Sequence, residues 1–233
     1  MKHFAALSLI AAISFGSVTV AMAQCQLLGF TQLPAYPNPP LPISLGPTMV
    51  SIASAYPDVA NAIAAGRDAW NGTDAGYRIG GYGGQTGSDC PLNQPFQIGA
   101  YYFTSDPCAT ATAYGYNAPP GPGQIYLAFV DYFGGKCAGC GTKSMSLNLE
   151  AAWAINPGPG QYDLQSVIAH EFGHVLGLGH MRKDYPYCLE ADGPSCAQDG
   201  DRSTMQRNTT AGVGEICART LNGQDVGNAN YWY

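Results

Sequence analysis

Histidine and charge are scarce in this 233-residue chain: four histidines in all, and charged side chains at only 11% of positions. The charge that is present is acidic, with 10 Lys and Arg against 16 Asp and Glu and a formal net charge of −6. That balance argues against a nucleic-acid partner and against adhesion to anionic membranes. Beyond the first 23 residues no apolar run is long enough to span a bilayer, so no membrane anchor is expected in the remainder. Cys137-Ala138-Gly139-Cys140 has no second Cys-x-x-Cys to complete a four-cysteine metal site, and the glycines between 76 and 87 lack phosphate-cradling spacing. Glycine (30), proline (17) and tyrosine (15) are abundant instead, the composition of a loop-rich but folded surface rather than of a disordered chain.

The N-terminus explains part of this pattern. Lys2 and His3 precede an apolar run from Phe4 to about Val20, and Ala21-Met22-Ala23 offers a small-x-small cleavage site. Residues 1–23 therefore read as a secretory signal peptide, with a mature chain beginning near Gln24 and a localisation that is secreted, extracellular or periplasmic. Residues 1–23 hold no Asp or Glu, so loss of Lys2 takes the net charge from −6 to −7. In an oxidising compartment the eight cysteines at 25, 90, 108, 137, 140, 188, 196 and 217 predict up to four disulfides. Eight cysteines allow 105 pairings; short loops favour Cys188 with Cys196 and Cys90 with Cys108.

Along the rest of the chain, residues 24–47 are too rich in proline for a regular element and read as an extended arm or short pro-segment, leaving one domain over 48–233. Tyr56-Pro57-Asp58 opens a helix that Asp58 can cap, and Val59, Ala62, Ile63, Gly66 and Trp70 recur at helical spacing as far as Asn71-Gly72. Residues 76–87 read as a mobile loop. Three strands are expected: residues 96–105; residues 125–131, nearly all apolar and so central; and residues 143–150, which alternate Met145, Leu147 and Leu149 with Ser144, Ser146 and Asn148 as a one-face-buried, edge-type strand does. Residues 156–160, Asn-Pro-Gly-Pro-Gly, turn the chain, and a closing helix is expected near residues 216–221.

The three remaining histidines all fall within His170-Glu171-Phe172-Gly173-His174-Val175-Leu176-Gly177-Leu178-Gly179-His180. Leu164, Ile168, Phe172, Val175 and Leu176 lie on one helical arc that faces a core. His170 and His174 lie opposite, about 40° apart around the axis and about 6 Å apart along it, close enough to bind one ion. A straight helix would carry His180 roughly 15 Å from His170, so the chain must bend, and Gly177 is placed to let it. Three imidazoles on one zinc leave a fourth position for water, and Glu171 is better placed to take a proton from that water than to compete as a ligand. The metal ligands are thus His170, His174 and His180, and the general base is Glu171.

This segment matches H-E-x-x-H-x-x-G-x-x-H at every fixed position and so resembles the metzincin zinc metalloproteases; residues 162–174 look most like the matrixin (matrix metalloprotease) group. The resemblance implies an α+β fold: a twisted mixed sheet backed by two long helices, catalytic Zn2+ at the floor of a cleft and a methionine turn below it, for which Ser203-Thr204-Met205 supplies Met205. It implies a zinc-dependent endopeptidase acting on protein or peptide substrates, as a monomer. In metzincins an edge strand above the cleft pairs with extended substrate. Several members also bind structural Ca2+, and Asp184, Glu190, Asp192, Asp199 and Asp201 could supply ligands; EF-hand spacing is absent, and a solvated acidic loop accounts for the same residues. A zinc amidohydrolase acting on a cell-wall-type amide would share this chemistry. A secreted, zinc-stabilised binding or adhesion module would not need Glu171.

Overall fold

A computed structural model describes residues 41–73, 78–85, 87, 96–103, 125–132, 143–180, 203–205 and 218–232. Within them the elements run β1 (Leu41–Leu45), α1 (Pro47–Ala55), α2 (Pro57–Asn71), β2 (Ile79–Gln85), β3 (Gln97–Tyr101), β4 (Ala128–Tyr132), β5 (Lys143–Asn148), β6 (Trp153–Ala154), β7 (Tyr162–Asp163), α3 (Leu164–Val175) and α4 (Gly223–Trp232). The sheet order is β2-β1-β3-β5-β4, parallel throughout except for β4, which runs antiparallel to β5. This is a mixed α/β arrangement around a five-stranded, mostly parallel sheet.

Four expectations are corrected. Residues 41–45, placed in a proline-rich arm, form β1, which hydrogen-bonds to neighbours on both sides. Proline blocks only its own N–H, and the sheet absorbs Pro42 as a register shift between Leu41 and Ile43. Residues 79–85, within the expected mobile loop, pair with β1 as the strand at one end of the sheet; the ladder holds glycines that would not form a strand alone. The places of the two later strands are exchanged. Residues 128–132 form β4 at the end of the sheet, half-exposed through Val130, whereas β5 is central. Its supposed solvent face is buried too: Ser144, Ser146 and Asn148 are all at most 2% exposed. Asn148 makes that possible by donating to Tyr126 O and accepting from the Glu150 and Phe103 amides, beside the Phe103–Phe129 ring contact. Lastly, the final helix begins at Gly223 rather than near residue 216, because Asn222 is its cap: Asn222 Oδ1 accepts from Asp225 N and Asp225 Oδ2 from Asn222 N.

Helix α2 starts two residues earlier than the capping argument implies. Pro57 takes the first helical position, where its missing N–H costs nothing, and Asp58 lies in the first turn, favourable against the helix dipole. Asn71 ends the helix by bonding both the N–H and the carbonyl of Ile79, which ties α2 to β2.

One face of the sheet, carrying Ile43, Ile98, Ala100, Met145 and Leu147, forms a single core with Ile63 and Trp70 of α2 and Ile168, Phe172 and Val175 of α3. Helices α2 and α3 pack together at Gly66. A Cβ added there would stand 2.7 Å from Ile168 Cγ2 and 3.0 Å from the Ala169 backbone nitrogen. The same junction carries a buried hydrogen bond from Trp70 Nε1 to Ala169 O, 2.7 Å. Gly66 thus sets how closely α2 approaches the residue preceding His170. Gly66→Val is expected to lower stability by about 1–3 kcal/mol in urea unfolding, its gain in helix propensity outweighed by overpacking against α3; a neutral or stabilising result would show that the helices can separate freely.

Candidate metal centre

Helix α3 is held at both ends by side-chain and backbone groups of identifiable chemistry. At its start Asp163 is the N-cap, accepting from Ser166 N at 2.8 Å and Ser166 Oγ at 2.6 Å. Asp163 is also gripped by Arg219, whose Nε and Nη2 both reach its carboxylate while Nη2 donates to Ile155 O. At its end Gly177 N donates to His174 O and Leu178 N to Gly173 O, the paired bonds of a Schellman motif, with Gly177 at φ +88°. That left-handed residue is the bend expected there.

The bend brings His180 back. His180 Nε2 lies 3.2 Å from His170 Nε2 and 3.2 Å from His174 Nε2, and the candidate ligand atoms of the three residues all lie within 4.8 Å of one another. His174 stands edge-on to both other rings, at 89° and 87°.

The far sides of two rings decide what these nitrogens can do. His170 Nδ1 is 2.6 Å from the carbonyl of Thr204, and His174 Nδ1 is 2.7 Å from that of Leu178. A carbonyl oxygen only accepts, so each Nδ1 carries the proton and each neutral ring turns a bare Nε2 lone pair toward His180. His180 has at most one Nε2 proton, which cannot satisfy both. Burial keeps His170 neutral, lowering its pKa from 6.5 to about 4 against the opposing pull of the Thr204 hydrogen bond. Converging lone pairs need a cation. Two ligands about 2.0–2.1 Å from a tetrahedral zinc stand about 3.3–3.4 Å apart, close to the separations here, and imidazoles held through Nδ1 by carbonyls are typical zinc ligands. The donor set fits zinc.

Glu171 is 4% exposed, and its Oε2 makes no hydrogen bond among the described residues. Burial alone raises its pKa from 4.5 to about 8. A carboxylate left in such a position is stabilised by a neighbouring cation or a water. Met205, fully buried, lies against α3 at Gly173: a Cβ there would come 2.1 Å from Met205 Sδ and 2.8 Å from Trp70 Cζ2.

The structure brings His170, His174 and His180 together, with Glu171 also on α3, Gly177 in the bend and Met205 packed against α3 at Gly173. The proposed calcium ligands and all eight cysteines lie outside the described residues. Sequence reasoning missed the supporting groups. Asp163 and Asp225 were detectable as an acidic cap three residues before Ser166 and as the partner of Asn222; the carbonyls of Thr204 and Leu178 carry no sequence signal.

These burials fix a pH response for the metal-free protein. His170, with its pKa depressed, favours the fold above pH 6.5 and loses that contribution as pH falls toward 4. Glu171, with its pKa raised, favours the fold fully below pH 4.5 and loses that contribution as pH rises through 8. Unfolding of chelator-treated protein should therefore show greatest stability near pH 5–6, and Glu171→Gln should remove the alkaline loss, a gain on the order of 4 kcal/mol at pH 9. An alkaline arm unchanged in that variant would contradict the burial assigned to Glu171.

No curated protein matches the chain. The family model Peptidase_M10, Matrixin, matches residues 126–188, a span running from β4 through β5 and α3 to just beyond His180. Over that span, and in its three-histidine cluster, the chain resembles the matrixin group of metzincin zinc peptidases.

Proposed function

We propose that this protein is a secreted, zinc-dependent endopeptidase in which His170, His174 and His180 hold the metal and Glu171 is the general base. The observation that carries the reading is the convergence of three imidazole nitrogens, with the residue that follows His170, Glu171, buried and unpartnered at Oε2 among the described residues. The matrixin match over residues 126–188 supports protein or peptide as the substrate class. Secretion rests on the leader-like residues 1–23. Among the described residues no helix is long and apolar enough to cross a membrane.

Zinc, when bound, supplies Lewis-acid polarisation of the scissile carbonyl and acidifies a water. The protein's own residues do the rest. His170 and His174, locked by their Nδ1 bonds, keep Nε2 deprotonated and aimed without reorganisation. Burial holds Glu171 protonated near neutral pH in the metal-free protein, and a zinc ion held by the three histidines would favour its ionised form. Glu171 accepts the proton of the attacking water as its oxygen bonds to the carbonyl carbon, then delivers it to the amine as the C–N bond breaks. Met205, Gly177 and the Schellman turn are structural: the first is the methionine-turn candidate and floors the site, the others bring His180 into it.

Substrate binding falls to β4. It closes one end of the sheet, pairs only with β5 among the described residues, and packs against α3, so its outer edge is the candidate for adding an extended peptide strand.

Cleavage of casein or gelatin by the purified chain tests the reading, with Glu171→Ala and a chelator-treated sample run in parallel. Expected are about one zinc per chain in both proteins, and a fall in rate of at least about 100-fold in the variant. Equal activity in Glu171→Ala would remove the general-base assignment, and cleavage that survives complete zinc removal would remove the metal from the reaction.

A further inference from the structure

His170 and His174 are held by carbonyls of very different standing. The acceptor for His174 is Leu178 O, the second residue of the Schellman turn that ends the same helix, so α3 secures that ring by itself. The acceptor for His170 is Thr204 O, 34 residues further along the chain and outside α3. What holds Thr204 therefore aims His170.

Among the described residues, Thr204 is held mainly by one side chain. Asp225 is fully buried and accepts from Thr204 N through Oδ2 at 2.8 Å and from Ser203 Oγ through Oδ1 at 2.6 Å. Ser203 Oγ in turn accepts from Met205 N at 3.1 Å. One carboxylate thus fixes three consecutive residues, Ser203, Thr204 and Met205. Asp225 is itself anchored by its reciprocal bonds with Asn222 at the start of α4, where the helix dipole favours an anion. Thr204 Oγ1 adds longer contacts to Ala218 O and Thr220 O, both 3.4 Å. A buried carboxylate costs stability unless it is fully hydrogen-bonded, and this one accepts from the residue whose carbonyl points at His170. Its burial pushes the Asp225 carboxyl above its usual value, with the bonds from Ser203, Thr204 and Asn222 acting the other way.

We infer that Asp225 is a positioning residue for His170: through Ser203 and Thr204 it aims the carbonyl that fixes the His170 tautomer, and so sets how tightly the three-histidine site holds Zn2+. This rests on the three-histidine zinc reading for its metal consequence but not for its structural one. Asp225 itself touches neither the metal ligands nor any reacting group.

Asp225→Asn keeps size and shape but exchanges one acceptor oxygen for an NH2 that faces donors. In the full-length variant, the His170 Nδ1–H resonance in proton–nitrogen NMR is expected to lose its hydrogen-bonded downfield position and to exchange with solvent at least about tenfold faster. The His174 Nδ1–H, held by Leu178, should not move. The Zn2+ dissociation constant, measured by chelator competition, should rise by about 10–100-fold, in the range found for removal of groups that orient metal ligands. Asp225→Glu should restore part of both. Equal responses of the two histidines, or none, would overturn the inference, since a general loosening of the fold does not distinguish them. If Asp225→Asn fails to fold, Ser203→Ala decides, with the same His170-selective change expected at smaller size and its absence counting against the role. The NMR comparison on metal-free protein separates this inference from the zinc reading: wild-type protein that binds no Zn2+ would end the latter, while selective loss at His170 would still uphold the former.

Discussion

Two hydrogen bonds, from His170 Nδ1 to Thr204 O and from His174 Nδ1 to Leu178 O, are the constraint on which the rest of the structure converges. Each forces a tautomer, and together they leave lone pairs facing one another across a gap that only a cation fills well. Helix α3 places both rings, the left-handed Gly177 folds the chain so that Leu178 and His180 return, and the segment at Thr204 closes the arrangement from the other side. The sheet and α2 contribute by fixing α3. The close approach at Gly66 and the Trp70 bond to Ala169 O pin the helix one residue before its first histidine.

The electrostatics follow from that packing. Burial keeps His170 neutral and makes an ionised Glu171 costly in the metal-free protein. A bound cation reverses the sign of that cost. A buried carboxylate with a raised pKa is the kind of group that catalytic sites use for proton transfer.

What was legible in the sequence was whatever depends on local spacing. The arc of Leu164, Ile168, Phe172 and Val175, the four-residue interval of His170 and His174, and the glycine that reverses the chain all act within a few turns, and the structure has them as read. What was not legible depends on partners distant in the chain. β1 survives its proline because strands lie on both sides, and residues 79–85 are extended because β1 is there to pair with. Alternation in β5 suggested one wet face, but Asn148 satisfies backbone groups from residues 126 and 103 and allows both faces to be buried. An apolar run at residues 125–131 suggested a central strand, yet β4 lies at the end of the sheet, where side-chain pattern alone says nothing about neighbours. The link from Asp225 to His170 spans 55 residues through backbone groups and has no pattern to read.

X-ray absorption at the zinc edge on the purified protein tests the central claim most directly, because it reports which atoms surround the metal. The account predicts three imidazole nitrogens and one oxygen at about 2.0–2.1 Å, with the imidazole signature reduced when His180 is replaced by alanine. A first shell containing sulfur, or an imidazole count indifferent to His180, would show that zinc binds elsewhere and that the histidine cluster is not its site.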